Sequence, residues 1–216
     1  MSELKNHLAK VADKIDRKRY SKREEVDFVI IGSGAAGGTI ARELSQAGHS
    51  VVVMEQGPYI KMQDFDHDEY NTIYNQDWFG GWKGEYPQTF RRHESQKAEV
   101  MDFLPPLLYG RMVGGSSVHM TANYWRFHES DFNERSILGP IAGTGLEDWP
   151  ISYEEMEPYY TKVDWDVGVS GAPGPFDAYR SRGYPTPPMP IKSSGAILEA
   201  GARKLGLHPH PAPMAI

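Results

Sequence analysis

The sequence predicts an α/β fold that opens on a Rossmann-like βαβ unit, and three observations predict it. A β-rich apolar run, Val26-Asp27-Phe28-Val29-Ile30-Ile31, ends on Gly32. A glycine loop follows at once, Gly32-Ser33-Gly34-Ala35-Ala36-Gly37, matching GxGxxG. A second apolar run, Val51-Val52-Val53-Met54, ends on an acid, Glu55.

Each element has its own physical reason. Apolar β-branched runs with no polar alternation predict parallel strands buried on both faces. Between them, Ala35 to Gln46 has helical spacing, with Ile40, Ala41 and Leu44 on one face and Gly48 placed to end the helix. In the loop, the first glycine permits the turn out of the strand and the second lets a pyrophosphate approach the backbone. The third lets helix and strand pack closely. Free N–H groups at the helix start then face phosphates, with Ser33, Ala35 and Ala36 completing the loop. Glu55 lies 23 residues after Gly32, placed to accept hydrogen bonds from a ribose diol and to disfavour a 2′-phosphate.

Composition bounds the rest. The 216 residues are 39% hydrophobic and 24% charged, with a mean hydropathy of −0.55, which excludes a disordered chain and a membrane bundle. A net charge of −6 gives no reason to expect nucleic acid as a partner. The absence of cysteine excludes disulfides, thiolate metal sites and a Cys nucleophile. No apolar run approaches the ~20 residues of a membrane helix, and no sorting signal is visible. The expected location is cytoplasmic by default, or periplasmic or membrane-associated through a partner subunit.

Residues 1–25 read as a polar leader, with Leu4, Leu8, Val11 and Ile15 near helical spacing and a basic run over Arg17, Lys18, Arg19, Lys22 and Arg23, taken as solvated. Residues 26–135 read as the nucleotide-binding domain. An irregular insertion around 58–108 within it is dense in aromatic residues: Tyr59, Phe65, Tyr70, Tyr74, Trp78, Phe79, Trp82, Tyr86 and Phe90. Residues 136–216 read as the incomplete start of a second domain. There, Ser152 and Glu155 make a capping box, and Pro158 is expected to begin a second helix running through Val167. Nine of the sixteen prolines fall after residue 172, so this stretch is expected to be extended, apart from a helix over Gly195 to Leu205 capped by Ser194. His67, in an acidic run, and His208 and His210, split by a proline, read as loop residues, and no metal site is expected.

The local motif leaves FAD and NAD open. Two features favour FAD: regular strand–helix alternation stops after Pro58, and a second glycine loop follows, Gly110-Arg111-Met112-Val113-Gly114-Gly115-Ser116-Ser117. Such a loop offers backbone N–H groups and two hydroxyls to a second part of a large cofactor.

The chain resembles the glucose–methanol–choline (GMC) oxidoreductases. Four stretches carry the resemblance: Asp27–Pro58, Gly110–Phe132, Asp148–Gly171 and Gly174–Ile216. Within them, Asp148-Trp149-Pro150-Ile151-Ser152-Tyr153 with Glu157-Pro158-Tyr159-Tyr160 is specific, and the Pro-rich end is similar to flavoprotein subunits of bacterial gluconate and fructose dehydrogenases. The resemblance covers the N-terminal part of the family's chain. It implies a Rossmann-like FAD-binding fold followed by the start of a substrate or cap domain.

The resemblance also implies an activity, namely FAD-dependent oxidation of an alcohol, on a sugar or sugar acid. Hydride would pass to flavin N5, and electrons would go to an acceptor other than NAD, such as a cytochrome subunit or a quinone. Gly32, Gly34 and Gly37 would hold the pyrophosphate and Glu55 the adenosine ribose, with Gln56 beside it among the cofactor-binding residues, and Arg111, Gly114, Gly115, Ser116 and Ser117 match the family's second flavin loop. Where many members carry a flavin-contacting Asn, this chain has Met120. His119, one residue earlier, matches the loop of members that attach FAD through a histidine ring. A covalent bond and simple packing near the flavin both stay open for it. The family's proton-abstracting histidine is expected beyond residue 216, so no residue here is assigned as catalytic. A short non-catalytic nucleotide-binding protein or split subunit, and an NAD-linked dehydrogenase, are the alternatives.

Overall fold

The computed structural model describes residues 24–64, 79–80, 89–100 and 109–216, and the chain divides into two compact units, Met1–Met120 and Thr121–Ile216. The polar leader with its basic run lies outside the described residues up to residue 23. So do His67 and most of the aromatic insertion, namely Phe65, Tyr70, Tyr74, Trp78, Trp82 and Tyr86.

In the first unit, β1 (Phe28–Ile31), α1 (Ala35–Gln46) and β2 (Val51–Met54) form the expected βαβ unit. The strands run parallel, with Phe28 opposite Val51 and Ile31 opposite Met54. The open end of the pair is tied by Asp27, whose carboxylate accepts from the Ser50 N–H at 2.8 Å and the Ser50 hydroxyl at 2.7 Å. Helix α1 ends in a Schellman motif. The N–H of Gly48 (φ +92°) donates to the Ser45 carbonyl and that of His49 to the Leu44 carbonyl, each at 3.1 Å.

Two expectations for β1 need correction. The strand starts at Phe28, not Val26, and it is not buried on both faces: Val29 is 57% and Ile31 88% exposed. Burial of a parallel sheet comes from helices on both faces and neighbouring strands at both edges. Among the described residues this sheet has two strands, and α1 packs on it from one side. The other strands among the described residues are two-residue ladders: β3 (Phe79–Gly80) pairs antiparallel with β6 (Tyr109–Gly110), and β4 (Thr89–Phe90) with β5 (Glu99–Val100).

The second unit contains α2 (Glu134–Leu138), α3 (Tyr153–Val167) and α4 (Ser193–Lys204), joined by largely extended chain. Ser170 bridges that chain to both Thr186 and Met214. The capping box of Ser152 and Glu155 forms as expected. Pro158, however, does not start a new helix; α3 runs through it unbroken. The proline removes one backbone bond, to the Glu154 carbonyl. The face on either side of it is held by buried Tyr153, Glu157 and Asp164, and tertiary bonding overrides the local preference. Helix α4 begins at Ser193 with Lys192 at the N-cap, and no side chain caps it. The helix starts ahead of Ser194 because the Ala196 N–H already reaches the Lys192 carbonyl at 2.9 Å.

Around α3 the core is small: Phe132, Tyr153 and Ala178, flanked by Met156 and Tyr160. Beside it lies a buried ionic cluster. The Arg126 guanidinium donates from Nε and Nη2 to Asp164 Oδ2 (3.0 and 2.7 Å) and from Nη1 to Glu157 Oε1 (3.1 Å), and Arg180 also pairs with Asp164. Two cations face two anions, so the buried charge balances. Burial pushes the Glu157 carboxyl up, but hydrogen bonds from Thr161, Ser181 and Arg126 outweigh it and lower it to about 2. No described helix is long and apolar enough to cross a membrane.

Candidate nucleotide-binding site

The site is built where β1 turns into α1. Gly32 sits at φ +87°, a region that favours glycine, and its N–H donates to the Met54 carbonyl at 2.7 Å, fixing the turn to β2. Gly37 is required by packing: a Cβ there would stand 2.0 Å from the Gly32 carbonyl oxygen and 3.3 Å from the Ile30 side chain. Gly34 differs, because a Cβ there would meet nothing within 4 Å among the described residues. Gly34 is the N-cap of α1, no side chain caps it, and no acid lies in the first turn. Ala35, Ala36 and Gly37 thus begin a helix whose positive end meets open space bordered by glycine, which fits a diphosphate.

Glu55 closes the far side. Its Oε2 accepts from the Ser33 N–H at 2.8 Å and the Ser33 hydroxyl at 2.7 Å, and its Oε1 from the Gly57 N–H at 2.9 Å. Burial alone would raise this carboxyl, but the Ser33 and Gly57 donors hold it below its ordinary value, so it is an anion at neutral pH. The Gln56 N–H also lowers this carboxyl, so a ribose hydroxyl would share its roughly four acceptor positions with these donors. The expected ribose carboxylate is therefore also the anchor of the glycine loop.

The second glycine loop lies against the first. Gly114 (φ +95°) and Gly115 (φ +62°) turn the chain into a short 3₁₀ helix, Gly115–His119. A Cβ on Gly115 would come within 2.9 Å of the Gly34 Cα. The Gly114 N–H donates to the Ser33 hydroxyl at 3.0 Å, and the Val113 N–H to the Pro58 carbonyl at 3.0 Å. Met112, 1% exposed, anchors the loop from below. Ser116 accepts from the Gly110 N–H at 3.0 Å and so braces the loop from within.

The structure therefore brings Gly32 through Gly37, Glu55, Gly114 and Gly115 into one constellation. Ser117 and His119 lie on the exposed 3₁₀ helix, Met120 follows in extended conformation, Gln56 is exposed and Arg111 is half-buried. The structure adds a further role to two residues. A Cβ on Gly57 would lie 2.0 Å from the Arg111 carbonyl oxygen, so this glycine lets the second loop cross the end of β2. Its signal was the Glu-x-Gly spacing after the strand. Ser33, at an unspecified position of GxGxxG, ties three segments together, which the motif does not encode.

Several known proteins are similar to this chain. A family model described as an NAD(P)-binding Rossmann-like domain matches residues 30–92. The 2-methyl-1,2-propanediol dehydrogenase of Mycolicibacterium austroafricanum is 32% identical over 194 residues, covering 89% of this chain and 34% of that protein. The gluconate 2-dehydrogenase flavoprotein of Pantoea cypripedii is 28% identical, covering 89% of this chain and 35% of that protein. The fructose dehydrogenase large subunit of Gluconobacter japonicus is 27% identical, with 88% and 36% covered. Among solved structures, an FAD-dependent oxidoreductase from Chaetomium thermophilum shares the fold at a TM-score of 0.50 and 20% identity, over 89% of this chain and 34% of that one. The chain spans about a third of the length of the curated relatives it matches. The relatives of this chain are glucose–methanol–choline-type oxidoreductases, which it matches at 27–32% identity over 88–89% of its own length.

Proposed function

We propose that this chain holds FAD for the oxidation of an alcohol group, on a sugar or sugar acid, with electrons leaving to an acceptor other than NAD. The observation that carries this is the pinning of a second glycine loop onto the first, through Gly114 and Ser33 at 3.0 Å. A dinucleotide reaching only its βαβ unit needs one such loop, whereas two abutting loops suit a cofactor with a further ring system beyond its diphosphate. In this proposal the α1 N-terminus with Gly32 to Gly37 receives the diphosphate, and Glu55 and Gln56 receive the adenosine ribose. Arg111, Gly114, Gly115, Ser116 and Ser117 border the flavin.

Bound FAD supplies the hydride acceptor for the carbinol carbon. This chain's own part is placement. The helix end and backbone N–H groups would offset the diphosphate charge, Glu55 would orient the ribose as an anion, and the second loop would hold the flavin end. His119 is proposed as the point of covalent attachment through its ring. A cytochrome subunit or a quinone is proposed as the electron acceptor.

FAD titration of the purified protein, followed by acid precipitation, tests this. Saturable flavin binding is expected, and yellow colour carried into the pellet would mark the His119 bond, to be lost in His119→Ala. Binding of NAD with none of FAD would overturn the flavin assignment. A panel of sugars and sugar acids read by dye reduction in the flavin-loaded protein tests the substrate class.

A further inference from the structure

The Ser33 hydroxyl sits in the middle of a two-step hydrogen-bond chain. The Gly114 N–H donates to Ser33 Oγ at 3.0 Å, and Ser33 Oγ donates to Glu55 Oε2 at 2.7 Å. Its geometry leaves little choice of direction. The Gly114 backbone nitrogen can only donate, Glu55 is held as an anion and can only accept, so the single hydroxyl proton points at Glu55. One side chain thereby joins the first glycine loop, the acid after β2 and a loop 81 residues further along the chain. Gly114 itself has a restricted setting. It is left-handed at φ +95°, and a Cβ there would stand 2.5 Å from the Val118 side chain.

We propose that Ser33 is a positioning residue, a latch that holds the second glycine loop in its flavin-receiving position by bridging Gly114 to Glu55. The latch rests on the FAD assignment above, and it acts on one half of the site. The diphosphate and adenosine end needs the α1 N-terminus and Glu55, neither of which depends on Gly114. The flavin end needs the second loop to stay where Ser33 holds it. Removing the hydroxyl therefore has opposite consequences at the two ends: the loop loses its tether, while Glu55 gains a vacant acceptor position for ribose.

The test compares FAD with ADP, which lacks the flavin end, on the wild-type protein and on Ser33→Ala and Ser33→Thr. For Ser33→Ala the expected result is FAD affinity weaker by about tenfold or more, with ADP affinity held within about threefold or improved. Ser33→Thr keeps the hydroxyl and is expected to restore FAD binding to within about threefold. Amide hydrogen exchange at Gly114 in the ligand-free protein is expected to speed up in Ser33→Ala and not in Ser33→Thr.

Equal FAD affinity in Ser33→Ala and wild type would overturn the latch, and so would parallel loss of FAD and ADP, which marks a residue acting on the diphosphate or on the fold. A threonine variant as weak as the alanine variant overturns it too. If the wild-type protein binds ADP and no FAD, the flavin assignment fails by itself. The Gly114 exchange rates then decide the latch: unchanged rates in Ser33→Ala refute it.

Discussion

Adding a single methyl group at Gly57 should dislodge the second glycine loop without touching any ligand. In Gly57→Ala the new Cβ would stand 2.0 Å from the Arg111 carbonyl oxygen, 2.2 Å from its carbon and 2.4 Å from the Met112 nitrogen. All three are backbone atoms, so no rotamer change relieves the clash, and the segments must part by about 1 Å or more to reach van der Waals contact. Two hydrogen bonds cross that gap: Val113 N–H to the Pro58 carbonyl and Gly114 N–H to Ser33, both 3.0 Å. Losing each costs about 1 kcal/mol, and partial unpacking of Met112 adds about 1 more. The sum, about 3 kcal/mol, corresponds to roughly a hundredfold faster local opening. Amide exchange at Val113 and Gly114 reads this directly, with the Gly32 amide, paired to Met54, as an internal reference that stays slow. Unchanged exchange at Val113 and Gly114 would show that the loop does not depend on its approach to Gly57.

Three further outcomes are expected, each in the second unit. Arg126→Met leaves Glu157 and Asp164 without their shared guanidinium, and it should lower stability by about 3–5 kcal/mol in a denaturant titration. The exposed Arg203–Glu199 pair serves as the control, where Arg203→Met should shift stability by about 0.5 kcal/mol or less. The pH dependence follows from Glu157, whose folded value is depressed from 4.5 to about 2. Its contribution is complete above pH 4.5 and is lost as pH falls through about 2; an acid titration followed by near-UV circular dichroism should lose signal in that window, and Glu157→Gln should remove that dependence along with stability at neutral pH. Finally, Ala122 is left-handed at φ 61°, so Ala122→Gly should raise the melting temperature by an amount equivalent to about 0.5–1 kcal/mol, and a lowered one would mean that its methyl contact outweighs the strain.

Much of the first unit was legible because its requirements are local. Strand, glycine loop, helix and acid follow one another within a single βαβ stretch, and each is set by backbone sterics that a sequence states openly. Gly32 must turn, Gly37 must let a carbonyl pass at a distance no Cβ tolerates, and Gly48 must end a helix. Burial was misjudged for the opposite reason. The hydrophobicity of β1 tells what the strand can be buried against, not whether a layer covers it, and Ile31 at 88% exposed shows the difference. In the second unit, Pro158 looked like a boundary because its cost is local. The Arg126, Glu157 and Asp164 bonds that hold α3 through it join residues 31 and 38 positions apart, and no periodicity announces such pairs.

Glu55 shows where motif logic and structure meet. The motif assigns the acid after β2 to a ribose, but in this chain its oxygens already serve the Ser33 and Gly57 donors, and the Gln56 N–H bears on them as well. Anchoring the loop and binding the ribose therefore draw on the same two oxygens. A Glu55 substitution would remove both functions at once and could not tell them apart. The neighbours can. Ser33→Ala releases an acceptor while freeing the second loop, and Gly57→Ala displaces that loop while leaving the carboxylate and its own N–H donor in place. If the second loop is what distinguishes a flavin site from a simple dinucleotide site, both variants should weaken FAD and spare ADP. The two arrive at that shared result through different atoms, Ser33 through a hydrogen bond and Gly57 through a steric approach, so their agreement would tie flavin binding to the position of Gly114 itself.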